Sequence, residues 1–387
     1  MRDRIDEVLG SAVERGDVPG VVSLVVDREG TLYEGAFGER LLGSGESMTT
    51  DTVGWIASMT KAVTGAAAKQ LVEQGRLDLD APASEVCEEL ATATVLEGFD
   101  DDGLPIERPP ATTVTLRNLL THTSGFAYEL WNADMARYLE VTGTPSIMSL
   151  QRAALGAPLM FDPGSRWEYG IGIDWAGQMV ERITGQPLGA YFAEHLTGPL
   201  GMDDTAFAPT PTMAERMAAM HARAPDGSLA PMDMPAPENP EFEMGGGGLF
   251  STMPDYGRFV RMVLNAGTLD GERVLQSDTV DQMTCNQMGE LRVLPLPCVA
   301  PMFSNAAEFF PGDPKSWGLT FQINEVPGPS GRPAGTCMWA GLANSYYWID
   351  RANGIGGAYM TQILPFADVK SLPLFEEFEA AVYASMS

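Results

Sequence analysis

The sequence predicts an α/β protein in which one antiparallel sheet is built from both ends of the chain. Two strand-like runs near the start, Val21–Val26 and Thr31–Phe37, flank a turn cluster at Asp27–Gly30 and predict a β-hairpin. Short runs rich in aromatic and β-branched residues return near the end of the chain, at 317–323, 337–340, 345–349 and 357–364. Helical patterns dominate between these two parts. This order of elements predicts a sheet formed by both termini, with a mainly helical region inserted.

Helices are predicted at both ends of the chain and through its middle. Residues 2–15 alternate charged and apolar positions at helical spacing, and a last helix is expected from Leu372 to Met386. A helix from Ser58 to Gln74 is expected to stop at Gly75. The helical segments expected in the middle are Leu116–Leu120, Asp174–Thr184, Leu188–Leu196 and Tyr256–Asn265.

The same patterns give an approximate division of the chain. Residues 1–80 and 315–387 are expected to form the sheet domain. Residues 81–314 are expected to form a mainly helical region with long loops that covers an active-site cleft. Within it, the stretch from Asp100 to Pro110 is acidic and then proline-rich, which predicts a surface loop.

The charge balance limits the classes of partner. The chain of 387 residues has 24 Lys and Arg against 52 Asp and Glu, a net charge of −28. Such a surface repels nucleic acid and anionic membranes, so neither is expected as a partner. No run of the sequence approaches the about 20 apolar residues that a membrane span requires. A small-molecule substrate is the expected partner, and the oligomeric state is left open.

The start of the chain and the cysteines bear on the compartment. Met1–Glu7 is charged and is not followed by an apolar segment, so a cytoplasmic protein without an export signal is expected. The cysteines are then expected as free thiols. Neither they nor the three histidines have the spacing of a metal site, so no metal and no cofactor are expected. The cysteines are Cys87, Cys285, Cys298 and Cys337.

The first candidate for chemistry is Ser58-Met59-Thr60-Lys61 at a predicted helix start. Residues three apart lie on the same helix face, and a desolvated lysine amine is a base that can take a serine proton. The plain alternative is a serine near a helix start with a solvated lysine one turn later. Lysine is rare here, since the chain has only four, and this one lies in an apolar, alanine-rich segment. A lysine expected to be buried favours the catalytic interpretation.

Two weaker signals follow later in the chain. Pro163–Gly172 is a glycine-rich loop that carries Tyr169 just before a predicted helix. Met338–Leu342 is a strand end with the sequence Trp339-Ala340-Gly341 at its centre. Each segment has a purely structural alternative. Tyr169 could be an aromatic residue that only packs within its loop, and Met338–Leu342 could be an edge strand whose tryptophan lies in the core.

Taken in this order, the three segments give the chain a family resemblance. It resembles the serine β-lactamase and penicillin-binding-protein superfamily, in its class C branch, and within it the family VIII carboxylesterases and the lovastatin-type acyltransferases. The resemblance spans nearly the whole chain and implies a β-lactamase-like fold, with an antiparallel sheet flanked by the N- and C-terminal helices. Its further landmarks are Gly75–Asp80, Leu119–Gly125, Pro199–Met202 and Gly246–Thr252.

The resemblance also implies roles for individual residues. Ser58 matches the acylated serine, Lys61 its partner lysine, and Tyr169 the tyrosine that acts as general base and acid. Trp339-Ala340-Gly341 stands where β-lactamases carry Lys-Thr-Gly. The oxyanion hole would then consist of the backbone N–H groups of Ser58 and Leu342.

Two departures from the family pattern bear on the substrate. Ile171 stands at the third position of the second motif, where the family has Asn or Ser, and Trp339 replaces the lysine that helps hold a β-lactam or peptide carboxylate. The loss of that cation favours neutral carboxylic esters of small to medium acyl chains over β-lactams and peptides. The same machinery would act as an acyltransferase if an alcohol or amine replaced water.

The substrate pocket itself is predicted only in outline. The aromatic residues Phe126, Tyr128 and Trp131 are expected to add apolar wall, although core packing is the commoner fate of such residues. Arg292 and Arg332 lie in predicted loops from which a cation could reach the cleft.

The sequence offers less support for other functions. A Ser-His-Asp hydrolase would use Ser124, which lies beside His122, but no serine has the G-x-S-x-G context. A non-catalytic sensor of the same fold would not need Ser58, Lys61 and Tyr169 together. The run Gly245–Gly248 lacks the Lys-Ser/Thr of a phosphate-binding loop and is expected to allow close backbone packing near the site.

Overall fold

The computed structural model describes residues 1–234 and 237–386. Within these residues the α-helices are α1 (Arg2–Glu14), α2 (Thr60–Glu73), α3 (Leu116–Thr121), α4 (Ala133–Thr142), α5 (Gly172–Thr184), α6 (Leu188–Phe192), α7 (Pro211–Ala214), α8 (Met253–Leu264), α9 (Ser277–Met283) and α10 (Ser371–Tyr383). The strands are β1 (Gly20–Asp27), β2 (Thr31–Gly38), β3 (Gly54–Trp55), β4 (Val95–Phe99), β5 (Pro105–Arg108), β6 (His221–Arg223), β7 (Leu229–Pro231), β8 (Phe250–Ser251), β9 (Thr268–Leu269), β10 (Glu272–Arg273), β11 (Lys315–Trp317), β12 (Gln322–Asn324), β13 (Cys337–Gly341), β14 (Ser345–Asp350), β15 (Ile355–Met360) and β16 (Ile363–Leu364).

The main sheet joins the two ends of the chain. Its seven strands have the order β11-β12-β13-β14-β15-β1-β2, and every neighbouring pair is antiparallel. The first hairpin meets the C-terminal meander where β1 pairs with β15, with Val22 opposite Met360. The predicted sheet built from both termini is therefore present.

Helices cover both faces of this sheet. Successive residues of a strand point to opposite faces, so Tyr347 and Trp348 of β14 identify the two layers. The Trp348 ring lies 5.5 Å from that of Phe378 on α10, which also packs on α1. The Tyr347 ring lies 5.0 Å from that of Tyr256 on α8. The order of layers is terminal helices, sheet, then the helices of the middle of the chain.

Helix α2 lies at the centre of the molecule. Its residues from Thr60 to Leu71 are all buried, and it packs against α5. Small residues allow this burial: a Cβ atom on Gly65 would lie 2.5 Å from the Thr320 side chain. A buried helix of this kind holds the residues at its start in fixed positions, which matters for the site described below.

Three segments differ from the sequence prediction. The stretch 317–323 is not one strand, because the chain turns between β11 and β12, where Thr320 has a φ of +80°. The segment 357–364 also divides, since β16 leaves the main sheet and pairs with β6. The predicted surface loop from Asp100 to Pro110 contains β5, which pairs with β4 in a hairpin that the proline- and acid-rich composition concealed.

The domain boundaries stay a prediction. Helix α8 comes from the middle of the chain and yet packs on β1 and β15 of the sheet. A Cβ atom on Gly257 of α8 would lie 2.1 Å from the Leu24 side chain, so helix and sheet are in close contact there. Among the described residues, no helix has both the length and the apolar character that crossing a membrane requires.

Candidate active site

Ser58 lies on a short 3₁₀ turn, Ala57–Met59, that leads directly into α2. The turn begins in an uncommon conformation, because Ala57 has a φ of +43°. The sequence predicted that the helix itself begins at Ser58, whereas the α-helix begins two residues later. Ser58 is half-buried and lines two adjoining pockets, so its hydroxyl is accessible to a small molecule.

Lys61 is fully buried one helical turn after the serine. Its Nζ atom lies 3.0 Å from Ser58 Oγ, 3.0 Å from the Tyr128 hydroxyl and 2.5 Å from the Gly246 carbonyl oxygen. Burial lowers the pKa of Lys61 to about 7, against the opposing effect of the negative charge of Asp174. A large fraction of this amine is therefore neutral near pH 7 and able to accept the Ser58 proton.

The ring of Tyr169 lies next to the Lys61 amine. The Lys61 Nζ atom is 4.7 Å from the centre of the Tyr169 ring, and the Trp339 indole N–H donates a hydrogen bond of 3.0 Å to the Tyr169 hydroxyl. Burial raises the pKa of Tyr169, while the hydrogen bonds with Ser58 and Trp339 oppose the rise. The phenol therefore stays protonated at neutral pH and is suited to give its proton to a leaving group.

The loop before α5 fixes this tyrosine by close backbone contact. The Tyr128 N–H donates a hydrogen bond of 3.3 Å to the Tyr169 carbonyl oxygen. At Gly170, a Cβ atom would lie 2.1 Å from the Phe126 carbonyl oxygen, so only glycine fits at that position. The glycine-rich composition of this loop thus has a packing reason.

The third motif lies at the end of β13, next to the serine turn. A Cβ atom on Gly341 would lie 2.3 Å from the carbonyl oxygen of Ile56, two residues before Ser58. The strand end can therefore approach the turn closely, and Leu342 lines both pockets together with Ser58. This is the arrangement that the predicted oxyanion hole of Ser58 and Leu342 requires, and their roles stay a prediction.

Apolar side chains dominate both pockets. The first, here called the Met148 pocket, has Tyr128 and Glu129 on its wall. Its apolar members include Trp55, Leu130, Trp131, Ile147, Met148 and Met244. The second, here called the Trp339 pocket, has Tyr169 on its wall. Its apolar members are Trp131, Leu296, Trp339, Ala340, Leu342 and Phe366.

The structure corrects part of the predicted pocket wall. Tyr128 and Trp131 line the Met148 pocket, but Phe126 does not line either pocket. It lies in the core, where its ring stacks 6.3 Å from that of Trp175 and its backbone packs on Gly170. The sequence also gave Tyr128 only an apolar role, whereas its hydroxyl contacts Lys61.

Neither arginine considered from the sequence reaches the cleft. Arg332 is fully buried and pairs with Glu379, and Arg292 donates its hydrogen bonds to the backbone of its own loop. Among the described residues that line the two pockets there is no Lys or Arg, and Glu129 is the charged one. The described lining of the cleft thus offers no cation to a substrate carboxylate.

Asp174 is a residue of this site that the sequence reasoning missed. It was expected only as the start of a helix, but its side chain is 1% exposed and lies behind Gly246. An acidic residue in the first turn of an apolar helix, five positions after Tyr169, was the available signal. The run Gly245–Gly248 does allow close backbone packing at this point, as expected, since a Cβ atom on Gly246 would lie 2.5 Å from the Asp174 carboxylate.

The alternative nucleophile, Ser124, is in the core. It is 1% exposed and lines neither pocket. The neighbouring His122 is surrounded by aromatic rings, with the Tyr169 ring centre at 4.7 Å and the Trp317 ring centre at 5.0 Å. Burial holds the pKa of His122 well below its usual value. This pair cannot reach a substrate in either pocket.

The fold and the site together define a class of protein: an enzyme with a β-lactamase-like fold whose cleft joins a serine, a lysine and a tyrosine. The chain belongs to the Beta-lactamase family, which it matches over residues 5–377. The predicted superfamily and fold are therefore confirmed.

Individual relatives narrow the class further. The chain is 32% identical to the lovastatin esterase of Penicillium rubens, over 99% of this chain and 98% of that protein. It is 31% identical to the monacolin J acid methylbutanoyltransferase of Aspergillus terreus, over 96% of this chain and 93% of that protein. Among solved structures, unliganded simvastatin synthase from Aspergillus terreus superposes with a TM-score of 0.86 at 30% identity, covering 98% and 97% of the two chains. The prediction of an enzyme of the esterase and acyltransferase kind is thereby confirmed.

Proposed function

We propose that this protein hydrolyses carboxylic esters of small to medium acyl chains through an acyl-enzyme on Ser58, as in the family VIII carboxylesterases. The observation that carries the proposal is the buried Lys61 amine, 3.0 Å from the Ser58 hydroxyl and with its pKa lowered to about 7. A lysine buried without a carboxylate in direct contact is costly to the fold. A catalytic base at the nucleophile accounts for that cost.

The reaction begins with the transfer of the Ser58 proton to the Lys61–Tyr169 pair. The alkoxide attacks the ester carbonyl carbon, and the N–H groups of Ser58 and Leu342 stabilise the oxyanion. The bond to the alcohol then breaks, and the leaving oxygen takes a proton from Tyr169, whose phenol is protonated at neutral pH. Water attacks the acyl-enzyme in the same way and releases the acid.

The lining of the pockets supports a neutral small-molecule ester as the substrate. Apolar side chains dominate both pockets, and the one charged side chain among their described residues is the carboxylate of Glu129. A β-lactam or peptide substrate brings its own carboxylate, which this cleft does not neutralise. Nucleic acid and membranes are not proposed as partners, in line with the net charge of −28.

An acyltransferase activity at the same site is the second candidate function. It is favoured by the resemblance to the methylbutanoyltransferase, which is 31% identical over 96% of this chain. In that reaction an alcohol takes the place of water at the acyl-enzyme, and no residue needs to change its role. Product analysis with and without an added alcohol distinguishes the two activities.

A cytoplasmic location completes the proposal. The support for it is that all four cysteines are free, two of them buried and two exposed. Exposed free thiols persist in a reducing compartment.

The test of the proposed function is acylation of Ser58. The protein is treated with a fluorophosphonate or a slow p-nitrophenyl ester, and the modified peptide is identified by mass spectrometry. The adduct is expected on the peptide that contains Ser58, and Ser58→Ala should abolish both the adduct and hydrolysis. An adduct on Ser124, or full activity of Ser58→Ala, would show that the proposed mechanism is wrong.

A further inference from the structure

The buried carboxylate of Asp174 has no role in the proposed reaction, and its geometry calls for one. We propose that Asp174 is a positioning residue: through the backbone of Gly246 it holds Lys61 beside Ser58, and its negative charge stabilises the lysine ammonium that forms when Ser58 loses its proton. This inference rests on the proposed function, since it concerns the same proton transfer.

The contacts form a continuous chain from the carboxylate to the nucleophile. The Gly246 N–H donates a hydrogen bond of 2.8 Å to Asp174 Oδ1, and the Gly246 carbonyl oxygen accepts one of 2.5 Å from Lys61 Nζ. Lys61 Nζ in turn lies 3.0 Å from Ser58 Oγ. A shift of Asp174 would therefore move the carbonyl group that orients the amine.

The fit at Gly246 leaves no room for another residue. A Cβ atom there would lie 2.5 Å from Asp174 Oδ2 and 2.9 Å from Oδ1. The contact requires glycine, because the carboxylate and the backbone must approach within hydrogen-bond distance. The next residue back also takes part, since the Gly245 carbonyl oxygen accepts a hydrogen bond of 2.7 Å from Thr64 of α2. The glycine segment is thus held between α2 and α5.

One oxygen of the carboxylate remains without a partner. Asp174 Oδ2 is buried and accepts no hydrogen bond from the described residues. A buried polar atom left unpaired costs stability, and a buried carboxylate costs more. Burial accordingly raises the pKa of Asp174, and the positive charge of Lys61 is the largest effect that opposes the rise. The two charges thus stabilise each other when both are present, that is, when Lys61 holds a proton and Asp174 does not.

The proton transfer explains how catalysis gains from this arrangement. When the Ser58 O–H bond breaks and its proton binds the Lys61 amine, an ammonium group appears in a fully buried place. Asp174 compensates that charge without touching the amine directly, so the lone pair of Lys61 remains available to Ser58. A direct ion pair would keep the lysine protonated and remove the base.

The other titratable groups around Lys61 do not take over this function. Tyr128 and Tyr169 face the amine from two loops, and burial raises the pKa of both. His122 lies behind Tyr169, and burial lowers its pKa well below the usual value. All three are neutral near pH 7. Of these four groups, Asp174 is therefore the one that can supply a negative charge.

The decisive variant is Asp174→Asn, which removes the charge and keeps an oxygen that can accept the Gly246 N–H. We expect kcat for a p-nitrophenyl ester to fall about tenfold above pH 7, a part of the about 10²–10⁴-fold that proton transfer contributes. KM should stay unchanged, because Asp174 lines neither pocket.

The pH dependence of kcat in Asp174→Asn should change as well. The fall of kcat on the acid side should move to lower pH by about one unit, since the charge that favours the Lys61 ammonium is lost. The loss should narrow at acid pH, where Asp174 is protonated in the unmodified enzyme as well.

A matched control and a stability measurement separate this role from a structural one. Asp255 is also a buried carboxyl whose pKa burial raises, to about 6, but it bonds Thr205 and the Asp204 N–H instead of the backbone beside Lys61. Asp255→Asn should leave both kcat and its dependence on pH unchanged. The midpoint of thermal unfolding of Asp174→Asn at pH 8 should not fall, because a buried charge is removed.

Several results would overturn the inference while leaving the proposed function intact. These are an unchanged acid limb and kcat in Asp174→Asn, an equal effect in Asp255→Asn, or a loss of activity explained by a lower unfolding midpoint. If Asp174→Asn does not fold, Asp174→Ser removes the charge with a smaller side chain and carries the same test. Failure of the proposed function has a different signature, because Ser58→Ala would then retain activity.

Discussion

The Trp339 indole N–H donates a hydrogen bond of 3.0 Å to the Tyr169 hydroxyl. Trp339, which the family resemblance aligns with the lysine of the Lys-Thr-Gly motif, therefore contacts Tyr169 directly. The tryptophan cannot bind a substrate carboxylate as a cation would, but it provides one hydrogen-bond donor to the phenol oxygen. It also provides apolar surface to the Trp339 pocket. Trp339 thus places apolar surface and a hydrogen-bond donor, and no cation, beside the phenol.

Trp339→Phe should reveal the contribution of that hydrogen bond. The phenyl ring can keep much of the contact with Trp317, whose ring centre lies 4.6 Å away, but it has no N–H group. Since the hydrogen bond lowers the pKa of Tyr169, its loss should reduce kcat about tenfold, which corresponds to about 1.4 kcal/mol. Trp175→Phe is the matched control, because the Trp175 N–H is buried without a partner among the described residues. Equal losses of kcat in both variants would contradict the prediction.

Tyr169 and Lys61 are expected to act as one unit. Lys61→Ala and Tyr169→Phe should each reduce kcat by about 10²-fold or more, and the double variant should be little worse than either single one. The reason is that both handle the same proton, with Lys61 Nζ close to the Tyr169 ring. Steady-state kinetics of the three variants provides the measurement. Full additivity of the two losses would mean that the residues act independently.

Tyr128→Phe separates the two tyrosines that contact Lys61. It removes a hydroxyl 3.0 Å from Lys61 Nζ but leaves the wall of the Met148 pocket in place. We expect a reduction of kcat of about 5- to 10-fold, as for the loss of one hydrogen bond of about 1 kcal/mol. The loss should be much smaller than in Tyr169→Phe. A Tyr128→Phe variant as impaired as Tyr169→Phe would reassign the general acid.

The main sheet and its flanking helices could be predicted from local patterns, whereas the roles of Ser58, Lys61 and Tyr169 came from the family resemblance and stay a prediction. Hairpin β1–β2 follows from strand propensity and a turn, and Lys61 is conspicuous because lysine is rare. The contact between Asp174 and Gly246 joins residues 72 positions apart, and no periodicity reports such a pair. The same limit applies to Tyr128, which a sequence marks only as aromatic.

The cleft should discriminate strongly against anionic substrates. In one buffer, kcat/KM for p-nitrophenyl butyrate should far exceed that for nitrocefin, because the described pocket residues include no Lys or Arg. Glu129→Gln should raise kcat/KM for a carboxylate-bearing ester about fivefold relative to a neutral one, in line with about 1 kcal/mol of charge repulsion near the surface. Turnover of nitrocefin as efficient as that of the ester would show the substrate assignment to be wrong.

The pH dependence of the free enzyme should report the state of Lys61. The neutral amine is the form that accepts the Ser58 proton, and burial lowers its pKa to about 7. Below that value the amine is protonated, so kcat/KM should fall as the pH falls through about 7, by about tenfold for each pH unit. The alkaline side should stay level to high pH, because burial raises the pKa of Tyr169 and keeps its phenol protonated. The measurement is kcat/KM for a p-nitrophenyl ester from about pH 5 to about pH 9 at constant ionic strength, with release of the acid followed as well as that of p-nitrophenol. A rate that stays level down to pH 5 would mean that a group other than Lys61 accepts the proton.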